Sequence, residues 1–208
     1  LEERSLPVDG TILPLVEEFY SIQGEGYHTG KAAYFIRLGG CDIGCSWCDS
    51  RFAWDSSIHP CSDTSELVVK AVKSGTDSVV ITGGEPLMWN LDMLCNKLKD
   101  NGLKTYLETS GAYPLSGKWD WICLSPKRNQ APLGEIYGVA DELKVIIEDN
   151  TDFEWAELNR KKVRSNCKLF MQPEWSRFSQ IIQDIVGYVK NNPDWRISLQ
   201  THKYMHIP

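Results

Sequence analysis

A chain of 208 residues, 42% hydrophobic and 24% charged, is long enough to bury a substantial core and reads as a single domain spanning residues 1–208. Its net charge of −6 and pI near 5.3 disfavour a nucleic-acid partner, which needs a basic surface, and no apolar run approaches the roughly 20 residues of a bilayer span. The opening Leu1–Pro7 lacks the apolar stretch of a secretory leader, and seven cysteines, an odd number without a disulfide-type framework, fit a reducing compartment, the cytoplasm by default.

In chain order, the first informative segment is Phe19–Gly26, where Gln23 and Glu25 stand between glycines. By itself it reads as a polar turn, although glycine also permits close approach of a ligand. Lys31–Leu38 is predicted as a strand, since Tyr34, Phe35, Ile36 and Leu38 form a nearly continuous apolar run. Arg37 interrupts it. A charge buried there needs an anionic partner, either a glutamate of the protein or an acidic substrate, and the planar guanidinium suits a carboxylate. After a cysteine-rich loop, Asp63-Thr-Ser-Glu66 resembles a capping box opening a helix whose apolar face is Leu67, Val68, Ala71 and Val72, closed before Gly75.

Further short apolar runs predict strands at Ser78–Thr82, Lys104–Thr109, Trp121–Ser125, Glu142–Ile147, Lys168–Gln172 and Arg196–Gln200. Helical spacing falls between several of them: Leu91–Asn101, ended by Gly102, then Phe153–Val163, and Ser179–Asn191 before Pro193. The segments after Thr109 and Ser125 carry no helical pattern. The basic cluster Arg160, Lys161, Lys162 and Arg164 reads as a solvated helical face. The fold expected is α/β, an incomplete β/α barrel of TIM-like type with reduced helical crossovers. Nearly every predicted strand ends in unusual polar residues, such as Glu108-Thr-Ser, Ser125-Pro-Lys127, Gln172-Pro-Glu174 and Gln200-Thr-His202. That is the end at which β/α barrels build active sites.

The cysteine loop, Cys41-Asp-Ile-Gly-Cys45-Ser-Trp-Cys48, supplies three thiolates from eight residues. Soft thiolates suit zinc or an iron–sulfur cluster. Structural zinc sites favour paired C-x2-C units or a C-x2-C with histidines, and only one such unit is present. Asp49 follows Cys48 directly and is expected to point elsewhere. A cubane held by three cysteines leaves one iron open for a small molecule, an arrangement for chemistry. Cys95 and Cys123, in a helix and a strand, read as small hydrophobes.

The loop, with Trp47 before its last cysteine, resembles the cluster motif of the radical S-adenosylmethionine (SAM) enzymes, and Thr82-Gly83-Gly84-Glu85-Pro86 resembles their GGEP segment. Together with SIQGEG, ETSG, DWICLSPK, DELKVII, FMQP and the terminal QTHKYMHIP, nearly the whole chain resembles the 7-carboxy-7-deazaguanine synthase family of the 7-deazapurine (queuosine) pathway. The resemblance implies a radical SAM lyase that contracts the ring of 6-carboxy-5,6,7,8-tetrahydropterin with release of ammonia, using a 4Fe–4S cluster, SAM and Mg²⁺. A 5′-deoxyadenosyl radical would take hydrogen from C6 of the pterin, so no protein acid or base is assigned. Cys41, Cys45 and Cys48 would hold the cluster and Ser50 the Mg²⁺. Trp47, Cys48, Asp49, Gly84, Ser125, Pro126, Lys127, Gln172, Pro173, Glu174 and Trp175 would line the cofactor site. Ile22, Gln23, Gly24, Arg37, Thr82 and the carboxylate of Pro208 would contact the substrate, with Glu25, Glu108 and His202 as neighbours in that pocket. An external electron donor of flavodoxin or ferredoxin type and a homodimer are also implied. A glycyl-radical activase is the enzyme alternative, separated by its need for a protein-docking surface. A non-catalytic zinc scaffold is the alternative of another class, separated by its metal content.

Overall fold

The computed structural model describes residues 8–208; Leu1–Pro7, on which the leader reading falls, lies outside the described residues. Nine strands form one sheet: β1 (Ile12–Ile22), β2 (Ala32–Leu38), β3 (Cys61–Asp63), β4 (Ser78–Gly83), β5 (Lys104–Thr109), β6 (Trp121–Leu124), β7 (Glu142–Ile147), β8 (Lys168–Pro173) and β9 (Trp195–Ile197). Their order is β3-β1-β2-β4-β5-β6-β7-β8-β9. From β2 to β9 every pairing is parallel, whereas β1 runs antiparallel to both β2 and β3. The sheet curls without its edge strands pairing, so the architecture is a partial β/α barrel.

The crossovers are α1 (Thr64–Lys73), α2 (Asp92–Asp100), the short α3 (Gly134–Tyr137), α4 (Thr151–Arg160) and α5 (Phe178–Asn191); α6 (Thr201–Met205) follows β9. Asp63 caps α1 by accepting the Ser65 N–H at 2.7 Å, which satisfies one of the free donors of the first turn. Leu67, Val68 and Ala71 are buried beneath it as expected, but Val72 is exposed. In α2, Leu94, Cys95 and Leu98 are fully buried, and in α5 Ile181 and Ile185 are. The basic cluster is not a helical face: α4 ends at Arg160, Lys161 and Lys162 are exposed just beyond it, and Arg164 pairs with Asp141 at 3.0 Å.

Strand period divides the side chains into two sets. One set, including Ile36, Leu38, Val79, Ile81, Leu107, Leu143 and Val145, joins the helices in the main core. The other faces the barrel interior. Low in the barrel it is apolar, with Ala33, Phe35, Val80 and Tyr106 packed against Phe19 and Trp121. Elsewhere it is polar: Arg37 and Thr82 are register partners, as are Glu108 and Cys123, and Cys123 and Glu142. The outer set stabilises the fold, and the inner set is free for chemistry.

Several sequence expectations need correction: the helix predicted over Phe153–Val163 runs over Thr151–Arg160, and the segment after Ser125, read without a helix, carries the short α3. The residues before Gln23 are not an isolated polar turn but the end of β1, an 11-residue strand. The last strand ends at Ile197, not Gln200, because Ser198–Gln200 leave the sheet to lead into α6. All seven cysteines are free thiols.

Candidate active site

The C-terminal ends of β2 and β4–β8 open into one cavity, lined from below by Phe19, Phe35 and Val80 and above by the cysteine loop. Of the residues expected to build a site, all line this cavity except Pro126, which is buried beside it.

The cysteine loop leaves β2 through Gly39 and Gly40. It is pinned by the Gly40 N–H to Ala53 O (2.8 Å) and the Cys41 N–H to Trp54 O (3.0 Å), while Asn129 Nδ2 donates to the carbonyls of Ile43 and Gly44. Cys41, Cys45 and Cys48 are half-buried. Burial pushes the Cys41 and Cys45 thiols above their ordinary value, against which the Lys127 charge acts on Cys45. Cys48 Sγ accepts from Trp54 Nε1 and from the Ser50 N–H, each at 3.4 Å. Hydrogen bonds of this kind tune cluster sulfurs, so the donor set fits an iron–sulfur cluster.

The TGGEP segment packs directly on this loop. A Cβ at Gly84 would stand 2.4 Å from Gly40 O and 2.7 Å from Cys41 Cβ, so only glycine fits. Glu85 is 1% exposed and ties β4 to β5: it accepts from the Leu87 N–H, Thr109 Oγ1, the Ser110 N–H and Ser110 Oγ at 2.5–3.0 Å. Just past the end of β6, Lys127 donates to Ser125 Oγ at 2.7 Å and lies 5.0 Å from the centre of the Trp47 ring. Burial lowers the Lys127 ammonium pKa.

On the far wall, Gln172 Oε1 accepts from Ser198 Oγ at 2.7 Å. Glu174 turns its carboxylate onto the N–H groups of Ser176 and Arg177, capping a short 3₁₀ turn that carries Trp175. Asp49, expected to point elsewhere, reaches Lys203 Nζ (2.8 Å) and Gln200 Nε2 (3.1 Å). Burial pushes its carboxyl up, but Lys203 and Gln200 outweigh this and hold it at about 2. Ser50 Oγ donates to Asp49 Oδ1 at 3.2 Å.

The floor is ionic. Lys144 Nζ, on a side chain 5% exposed, bridges Glu25 Oε2 (2.6 Å) and Glu108 Oε2 (2.9 Å). Burial pushes the Glu25 carboxyl up, yet Lys144 and Gln200 bring it down to about 2. Gln23 Nε2 donates to Glu108 Oε1 at 3.4 Å. Arg37 has found the internal partner left open by sequence: its Nε donates to Glu17 Oε1 on β1 at 2.7 Å, and the residue is among those lining the cavity. The segment Gln23–Lys31 runs across the interior, with the Thr201 N–H donating to Gly24 O (2.9 Å) and the Gly26 N–H to Ser198 Oγ (2.9 Å). A Cβ at Gly24 would meet His202 Nδ1 at 2.1 Å, so the glycine there serves the protein's own packing. Pro208 accepts from Ser21 Oγ at 3.0 Å through its backbone oxygen.

Glu85, Lys144 and Gln200 were given no role by the sequence reading. Lys144 carried the same signal as Arg37, a cation inside an apolar strand.

Residues 35–124 match the family model described as Radical SAM superfamily. The chain is 55% identical over 199 residues to a 7-carboxy-7-deazaguanine synthase of Flavobacterium psychrophilum, covering 96% of this chain and 94% of that protein. It is 49% identical to a protein of the same name from Synechocystis, covering 93% of each. The crystal structure of QueE from Escherichia coli superposes with a TM-score of 0.78 at 30% identity, covering 92% of this chain and 96% of that one. The chain belongs to the 7-carboxy-7-deazaguanine synthase family of radical SAM enzymes.

Proposed function

We propose that the chain converts 6-carboxy-5,6,7,8-tetrahydropterin to 7-carboxy-7-deazaguanine and ammonia in queuosine biosynthesis. The observation that carries this reading is the juxtaposition, in one cavity, of a three-cysteine loop above and a carboxylate–lysine floor below. Bound at Cys41, Cys45 and Cys48, a 4Fe–4S cluster with SAM supplies the radical that starts the reaction.

The chain's own residues orient and enclose. Trp47, Gly84, Ser125, Lys127 and Gln172–Trp175 form the wall assigned to SAM, with the tight contact of Gly84 against the loop setting its depth. Glu108, Gln23 and His202 face the polar ring, whose amino and ring N–H groups need acceptors. Arg37 keeps part of its guanidinium fork for the substrate carboxylate while Glu17 fixes its Nε. Ser50 offers a hydroxyl for Mg²⁺, a hard cation that takes few protein ligands and keeps its waters. Holding C6 of the substrate beside the radical and excluding water is the protein's contribution. A one-electron donor of flavodoxin or ferredoxin type, a homodimer, a cytoplasmic setting and a single domain over 1–208 belong to the same reading.

The test is anaerobic incubation of the reconstituted enzyme with the carboxy-tetrahydropterin, SAM and a reductant. Stoichiometric ammonia and 7-carboxy-7-deazaguanine are expected. An intact cluster that yields neither product removes the assignment.

A further inference from the structure

Of the two lysines that line the cavity, Lys144 is the one whose ammonium is ion-paired there, with Glu25 on the segment after β1 and Glu108 on β5. Burying an ammonium is costly unless it is paired, and an ion pair buried with good geometry stabilises a fold little better than apolar side chains of the same volume. Residues lower on the same inner face solve the packing with Phe35, Val80 and Tyr106. Packing therefore does not account for a lysine and two carboxylates on the wall of a cavity.

What the arrangement provides is orientation. Glu108 is gripped by Lys144 through Oε2, while Oε1 takes the long contact from Gln23 at 3.4 Å, and the residue lines the cavity. Glu25 is gripped by Lys144 on one oxygen and by Gln200 on the other, so both of its oxygens are held within the protein. One glutamate is thus spent on holding the lysine and the other is presented.

Building on the proposed function, we propose that Lys144 is a positioning residue for the pterin: it bridges the two carboxylates so that Glu108 offers a fixed acceptor edge to the N–H donors of the ring. Glu25 is the counter-anchor that keeps Lys144 in place. Removing the lysine frees Glu108 to turn and sets two carboxylates against each other without a cation.

The double variant Lys144→Met with Glu25→Gln, measured against Glu25→Gln alone, isolates the lysine: it removes one positive and one negative charge together and leaves Glu108, whose side chain is 22% exposed, as the single carboxylate that has lost its cation. Equilibrium binding of the carboxy-tetrahydropterin and of SAM to the reconstituted protein is measured anaerobically, with steady-state kinetics alongside. The double variant should bind the pterin at least about tenfold more weakly than Glu25→Gln, the order expected for a displaced charge-assisted hydrogen bond. KM should rise accordingly, while SAM affinity and the cluster absorption spectrum stay unchanged. Pterin affinity equal in the two variants, or an equal loss of SAM and pterin binding, overturns the assignment. A wild-type enzyme that forms no deazaguanine product is a different failure: it removes the function, and the Lys144 proposal with it.

Discussion

Glu142 sits one step below Lys144 on β7, 2% exposed, with its Oε2 accepting the Tyr27 N–H (3.1 Å) and Trp121 Nε1 (3.0 Å). Its Oε1 has no partner among the described residues, and Gly26 passes so close that a Cβ there would stand 2.0 Å from it. Burial, and then the neighbouring Glu108 charge, raise its carboxyl from 4.5 to about 7. An acid raised on folding binds its proton more tightly in the native state. The stability it contributes is therefore complete below about 4.5 and is lost as pH rises through about 7. Glu142→Gln keeps the shape and abolishes the titration. Relative to the variant, the wild-type protein should lose stability between those two values, read as denaturant midpoints across the range; parallel profiles would show that Glu142 does not titrate there. Residues such as this explain what sequence could not display. In DELKVII the cation inside an apolar strand was legible at Lys144, but its partners were not, because only the curl of the sheet brings Glu25 and Glu108 to it. Glu85 was equally silent, because its four donors come from Leu87 on its own turn and from Thr109 and Ser110 on another strand.

Among the elements, those with strong local patterns were legible: β2, β4–β8, α2 and α5 fall within a residue or two of their predicted limits, apart from the last residue or so at some ends. β1 was missed because Pro14 and the Glu17–Glu18 pair break its apolar run. Pro14 is tolerated there near an irregularity in register between Leu15 and Glu17, and both glutamates are used, Glu17 on Arg37 and Glu18 on Tyr34. β3, with three residues, and α3, with four, are too short to carry a period. The cysteine loop and TGGEP were legible as motifs, but their mutual contact is a tertiary fact. That contact is testable. Gly84→Ala forces its new carbon into Gly40 O and Cys41, and overpacking of this kind costs about 1–3 kcal/mol. The variant should fold with a lower denaturation midpoint and take up less iron and sulfide on anaerobic reconstitution. Full cluster loading at wild-type stability would mean that the loop yields without cost.

At the scale of the molecule, one contiguous core runs from Leu13 on β1 to Trp195 on β9 and includes the buried faces of α1, α2, α4 and α5. A core of that reach predicts a single cooperative transition. Tryptophan fluorescence and far-ultraviolet circular dichroism should trace coincident denaturation curves; two separated transitions would divide the chain into two domains. No helix among the described residues is long and apolar enough to cross a membrane.

The unpaired edges of the curled sheet have a mechanical consequence. Between the segment after β1 and the segment after β9, the ties are individual bonds: the Thr201 and Gly26 amides, and the Gln200 amide that reaches Glu25 and Asp49 together. Such a seam is held by separate amide and side-chain bonds, with no strand ladder along it. The same Gln200 fastens the floor to the residue beside Cys48, so a seam ajar loosens both halves of the reaction chamber at once.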